Sequence, residues 1–150
     1  MIDTVVIATD GSESVQRAVD VALDLARRVD AEVHALYVVD AGEVESAPEG
    51  VREDLREALS ERGEQALDEV GEQAHAEATA AVREGRPAAE IADYARDVDA
   101  DAVAVGTRGR HGEHRFLVGS VAERVVRTCP VPVLTVRQLS GEDGEAAEAA

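Results

Sequence analysis

Lysine is absent from this chain: all 15 basic residues are arginine, set against 32 acids, for a formal charge of −17 over 150 residues. A surface with that balance repels polyanions, which excludes nucleic acid as a partner of the whole surface. It also excludes a Walker-type NTPase, whose glycine loop ends in lysine. Tryptophan is missing too, and Phe116 is the single phenylalanine. The one cysteine, Cys129, excludes an internal disulfide and, beside Pro130, reads as a small structural thiol. No apolar run approaches the roughly 18 residues of a membrane span, so no membrane partner is expected. The start, Met1-Ile2-Asp3-Thr4, lacks the basic region of a signal peptide, and a cytoplasmic location is expected. The acids are spread along periodic helical stretches as well as the tail. Such a composition fits a halophilic protein, because at 1 M salt the Debye length falls to about 3 Å and the repulsion is screened.

What is present alternates between strand and helix. Thr4 to Thr9 reads as a first buried strand, followed by a turn at Asp10-Gly11-Ser12, where Ser12 is placed to cap a helix. That helix carries Val15, Ala18, Val19, Ala22, Leu25, Ala26 and Val29 on one face. Glu32 to Val39 is the second strand, and Ala41 to Gly50 reads as a loop. A long helix runs from about Val51 to Ala74, weakened at Gly63 and Gly71. Glu77 to Val82 is a third strand, Pro87 opens a short helix, and Asp101 to Val105 is the fourth strand. Ser120 to Arg127 is a helix and Val131 to Val136 the last strand. The order predicts a single α/β domain over residues 1–137: an open five-stranded parallel sheet with helices on both faces. Residues 138–150 read as an acidic, disordered tail.

The densest chemistry lies between the fourth strand and the following helix. Gly106-Thr107-Arg108-Gly109 is followed, after nine intervening residues, by Gly119-Ser120. Glycines let backbone approach a ligand, and a helix start offers unpaired N–H groups and a positive dipole end. Strand, glycine loop and helix start together predict an anion site, with phosphate the usual occupant. Ser120-Val121-Ala122-Glu123 has the pattern of a capping box. Arg108, Arg110, His111, His114 and Arg115 concentrate cationic residues in the same loop of an acidic chain. The two histidines lack further ligands at metal spacing, so no protein metal site is expected. In open sheets ligands bind beyond the strand C-terminal ends, which makes Asp10 and Gly106 neighbours across one crevice. Asp40 and Glu43, near the end of the second strand, are secondary candidates.

These residues resemble the ATP-binding branch of the universal stress protein family over about residues 3 to 137. The spacing G-x2-G-x9-G-[ST] is matched by Gly106, Gly109, Gly119 and Ser120. Ala8 to Ser12, Leu36 to Asp40 and Pro130 to Val136 are similar as well. Thr9 departs from the apolar residue common at its position. The resemblance implies an adenine-nucleotide alpha hydrolase-like sheet with strand order 3-2-1-4-5. It implies ATP as ligand, with Mg²⁺ or Mn²⁺ shielding the phosphates. Asp10 and Val38 would flank the adenine, and Gly106 would lie near the ribose. Gly109, Gly119, Ser120 and Val121 would hold phosphates, and Arg108 is a further candidate. A homodimer through the edge strand at Val133 to Val136 is also implied.

Two functional readings stay open on the sequence. One is a nucleotide-dependent stress-response or regulatory protein. The other is a slow ATP hydrolase or phosphoryl-transfer enzyme at the same site, with Asp10 and His111 as the only helpers in sight. A Rossmann dehydrogenase is excluded because its G-x-G-x-x-G is missing after the first strand. A phosphoacceptor receiver domain is disfavoured by Gly85-Arg86-Pro87 and by the missing lysine.

Overall fold

The computed structural model describes residues 1–74, 77–107 and 119–137. In chain order the strands are β1 (Thr4–Ala8), β2 (Glu32–Asp40), β3 (Ala78–Gly85), β4 (Ala102–Gly106) and β5 (Val133–Val136). The helices are α1 (Gln16–Val29), α2 (Ala41–Ser46), α3 (Arg52–Gln73), α4 (Pro87–Asp97) and α5 (Ser120–Thr128). Short 3₁₀ turns at Glu13–Val15 and Glu49–Val51 lead into α1 and α3. All neighbouring strands are parallel, in the order β3-β2-β1-β4-β5.

The strand residues alternate between two cores, as a period of two requires. Val5, Ile7, Ala35 and Tyr37 face α1 and α3, whereas Val6, Leu36, Val103 and Val105 face α4 and α5. With both faces covered, the central strands read as continuous apolar runs. At the opposite end of the sheet, the Asp101 carboxylate accepts the N–H groups of Asp3 and Thr4 at 2.8 and 3.0 Å. Those two bonds hold its carboxyl below the usual carboxylate range.

Several boundaries differ from the sequence expectation. The segment after β2 is a helix, α2, because Asp40 caps it by accepting the Gly42 N–H and Val44 is buried beneath it. β3 extends to Gly85 because β2 supplies ladder partners as far as Asp40. β5 begins only at Val133; Pro132 has no N–H to give, although its carbonyl accepts from Val103. The inward face of α1 ends at Ala26, and Val29 is exposed, next to Asp30 in the left-handed region.

The two glycines of α3 play unlike parts. Gly63 packs against the ring of Tyr37, which is 1% exposed; a Cβ there would lie 2.8 Å from its Cγ. Gly71 has nothing within 4 Å of where a Cβ would sit. Gly71→Ala is expected to stabilise the fold by about 0.5–1 kcal/mol through helix propensity. Gly63→Ala should be destabilising by about 1–3 kcal/mol, since overpacking outweighs that gain. Urea melts of the two variants check the pair, and equal shifts would refute the close packing at Gly63.

Candidate functional site

β1 is shorter than its neighbours at the carboxyl end. Its ladder with β2 finishes at Ala8↔Leu36, with a last bond from the Thr9 N–H to the Leu36 carbonyl at 2.9 Å. β2 continues four residues further against β3. The chain leaves β1 through a tight turn. Gly11 sits at φ +78, its N–H bonded to the Thr9 hydroxyl at 3.1 Å. That bond accounts for a buried threonine where an apolar residue was expected. The Asp10 Oδ1 accepts both the N–H and the hydroxyl of Ser12, at 3.0 and 2.6 Å. Ser12 therefore locks Asp10 and makes no side-chain cap on the following helix, contrary to expectation.

The early end of β1 leaves a notch above it, and the notch is a cavity. Ala8, Thr9 and Asp10 form its floor; Val38 and Asp40 stand on the β2 side; Val105, Gly106 and Thr107 stand on the β4 side. Pro87 and Ile91 of α4 close one flank, and Gly119 to Ala122 of α5 close the other. Strand alternation turns the N–H and C=O of Val38 toward β1, as for Leu36. β1 has ended there, so these two groups have no main-chain partner among the described residues.

The α5 side has the opposite character. The Gly119 N–H donates to the Thr107 carbonyl, the Thr107 N–H to Val136, and the Glu123 N–H to Gly119. Gly119, at φ −61 and ψ 155, is the cap residue, and no side chain caps the helix. This corrects the expected capping box: Ser120 is the first helical residue, because the bond to Thr107 fixes the chain one residue earlier. The N–H groups of Ser120, Val121 and Ala122 consequently have no partner within the helix. Ser120, Val121 and Ala122 line the cavity, at the positive end of α5. Gly106 is also closely packed. A Cβ there would come within 3.2 Å of Val15 Cγ2 and 3.5 Å of the Ser14 carbonyl.

Of the sequence candidates, Asp10, Val38, Gly106, Gly119, Ser120 and Val121 line this one cavity, and so does Asp40. Glu43 does not. Arg108 and Gly109 lie outside the described residues, as do Arg110, His111, His114, Arg115 and the 138–150 tail. The sequence reading missed Ile91 and Pro87 as walls and Ala122 as a third free N–H. Proline at the first position of α4 was the available signal, since it places that helix start at the carboxyl edge of the sheet.

The profile of the universal stress protein family matches residues 1–137, and the chain belongs to that family. It is 41% identical over 138 residues to a universal stress protein of Methanocaldococcus jannaschii, covering 89% of this chain and 81% of that protein. Among solved structures it is similar to the hypothetical protein MJ0577 at a TM-score of 0.82 and 25% identity, over 94% of this chain and 99% of that one. A universal stress protein in complex with cAMP superposes at a TM-score of 0.67 and 26% identity, over 91% and 98%. The universal stress protein of Archaeoglobus fulgidus in complex with dAMP gives 0.63 and 25%, over 91% and 98%. Among the described residues, no helix is long and apolar enough to cross a membrane.

Proposed function

We propose that this chain binds ATP in the cavity above β1 and uses the bound nucleotide as a regulatory ligand in a stress response. The observation that carries this reading is the two-ended character of the cavity. Its β1–β2 end offers the carboxylates of Asp10 and Asp40 beside the open main chain of Val38, with apolar walls at Ala8, Ile91 and Val105. Its α5 end offers three N–H groups without a main-chain partner among the described residues, and a helix dipole. A nucleoside, with donor groups on a flat apolar base, suits the first end, and a phosphate chain suits the second. Asp10 and Val38 flank the base in this reading, Gly106 lies by the ribose, and Gly119, Ser120 and Val121 hold phosphate. Gly109 and Arg108, outside the described residues, are assigned to the phosphate end from the sequence motif alone. The adenine nucleotides bound by two structural relatives support the choice of base. Among the described residues no group of three His, Cys, Asp or Glu is placed to hold a metal. In this reading Mg²⁺ or Mn²⁺ is carried by the phosphate oxygens. Isothermal titration of the purified chain with Mg-ATP in molar KCl tests the proposal; absence of binding at millimolar ATP would refute it.

The site holds phosphate better than it aims water. Fast phosphoryl transfer needs an in-line nucleophile and a Lys, Arg or metal on the transferring group. Asp10 is tied to Ser12 at the nucleoside end, and among the described residues no acidic or histidine side chain lines the α5 end of the cavity to aim a water. Turnover is expected far below the ~1–100 s⁻¹ of kinases. Phosphate release measured with Mg²⁺ and with Mn²⁺ checks this. A rate near one per second that Gly119→Asp abolishes would support the slow-hydrolase alternative instead.

The proposed dimer uses β5, an edge strand. Val136 is buried against Val15 and Ala18, and Leu134 packs toward the same core, so lysine at either position would break the fold before it reported on assembly. Val103 donates to Pro132 and Thr107 to Val136. By alternation the main chain of Val133 and Thr135 then faces away from β4, and Thr135 is exposed. Thr135→Pro removes an outward N–H without cutting the β4 ladder. It is expected to turn a dimer into a folded monomer by light scattering at tens of micromolar; a monomeric wild type would refute the edge contact.

A further inference from the structure

β2 runs two residues past Val38 before the chain enters α2, and Asp40 stands at that point. Its Oδ1 accepts the Gly42 N–H at 2.9 Å and so caps α2. Its Oδ2 has no hydrogen-bond partner among the described residues. The carboxylate is half-buried and lines the cavity. The cap holds it in place, and its ladder neighbour on β3 is Gly85, over which the Glu90 side chain packs. Capping a six-residue helix accounts for one oxygen and leaves the other unexplained.

Strand direction says which part of a base bound at Val38 would approach Asp40. Along β2 the free N–H of Val38 comes before its free C=O, so the carbonyl lies on the Asp40 side. A base edge with a ring-nitrogen acceptor beside an exocyclic amino group matches this pair. The ring nitrogen meets the N–H, and one amino hydrogen meets the C=O. The second amino hydrogen then points onward along β2, toward Asp40. An ionised carboxylate is acceptor-only and suits that hydrogen.

We propose that Asp40 is a specificity residue whose free carboxylate oxygen accepts the outer hydrogen of an exocyclic amino group on the base held by the Val38 main chain. The inference rests on the nucleotide reading above and adds a determinant for the 6-amino group of adenine. Only this hydrogen distinguishes the role from helix capping, so the test varies ligand and residue together.

Calorimetric affinities for ATP and for purine riboside 5′-triphosphate, which lacks the amino group, are compared in wild type, Asp40→Ser and Asp40→Asn. Serine and asparagine both still cap α2, and thermal melts confirm that the variants are folded. A hydrogen bond to a charged group predicts that the ATP preference over the purine analogue falls about tenfold or more in Asp40→Ser. Asp40→Asn, which keeps a neutral acceptor oxygen, should fall between. The analogue itself should bind the serine variant about as well as wild type. An ATP preference within twofold of wild type in a folded, ATP-binding serine variant would overturn the proposal and leave Asp40 as a cap alone. A wild type that binds neither nucleotide would overturn the nucleotide reading, and this inference with it.

Discussion

Gly119→Asp is expected to lower ATP affinity by about 100-fold or more, which corresponds to about 2.7 kcal/mol. Two effects combine. The cap dihedrals of Gly119 are open to any residue, and aspartate is among the best caps, accepting from N–H groups of the first helical turn. Its carboxylate would therefore occupy the Val121 and Ala122 N–H groups that the proposal reserves for phosphate. It also repels phosphate, by about 4 kcal/mol for a unit charge pair at 4 Å and an effective dielectric near 20. Gly119→Asn caps in the same way without the charge and should cost about tenfold. The pair separates charge from space: equal losses in both variants point to steric exclusion, and equal affinity in all three proteins would remove phosphate from α5.

The second large effect is the response to salt. Among the described residues the arginines form surface ion pairs within helices, such as Arg27 and Arg28 with Asp24, and between elements, as Arg56 with Glu84 and Arg83 with Asp97. Exposed pairs of this kind contribute roughly 0–1 kcal/mol each and weaken in salt. Repulsion among the unpaired acids of a chain at −17 acts over the whole surface and weakens as well. The second effect is the larger, so screening should stabilise the fold. The melting temperature is expected to rise by at least about 10 °C between 0.1 M and molar KCl, since several kcal/mol shift a domain of this size by that much. A melting temperature that is flat or falling with KCl would contradict the high-salt reading of the composition.

Much of the fold was legible because parallel strands buried on both faces leave a plain trace. Val5-Val6-Ile7 and Ala102 to Val105 cannot be solvent-facing, and helices between them force crossovers, which leaves few topologies. The cavity walls at Asp10, Gly106 and Gly119 followed from spacing and strand ends, whereas Val38 followed only from the resemblance to the universal stress proteins. What stayed hidden depended on partners distant in sequence. No local pattern shows that Gly63 must admit the Tyr37 ring from another element. The start of α5 at Ser120 was legible, but its cap was assigned to Ser120 rather than Gly119, because the serine–glutamate spacing competes with a bond from Gly119 to the distant Thr107. α2 was missed because Asp40, Gly42 and Ser46 read equally as a turn; burial of Val44 decides for helix. The open main chain of Val38 depends on β2 outrunning β1, and register is not visible in one strand alone.

The most direct measurement of the central claim is a two-dimensional amide NMR titration of the full chain with Mg-ATP in molar KCl. Bound nucleotide is expected to shift the amides of Val38, Gly119, Ser120, Val121 and Ala122 most strongly, in proportion to one saturable site. Shifts confined to the separate cavity between α1 and α3, around Asp20, Leu23 and Gln73, or no shifts at millimolar ATP, would contradict it.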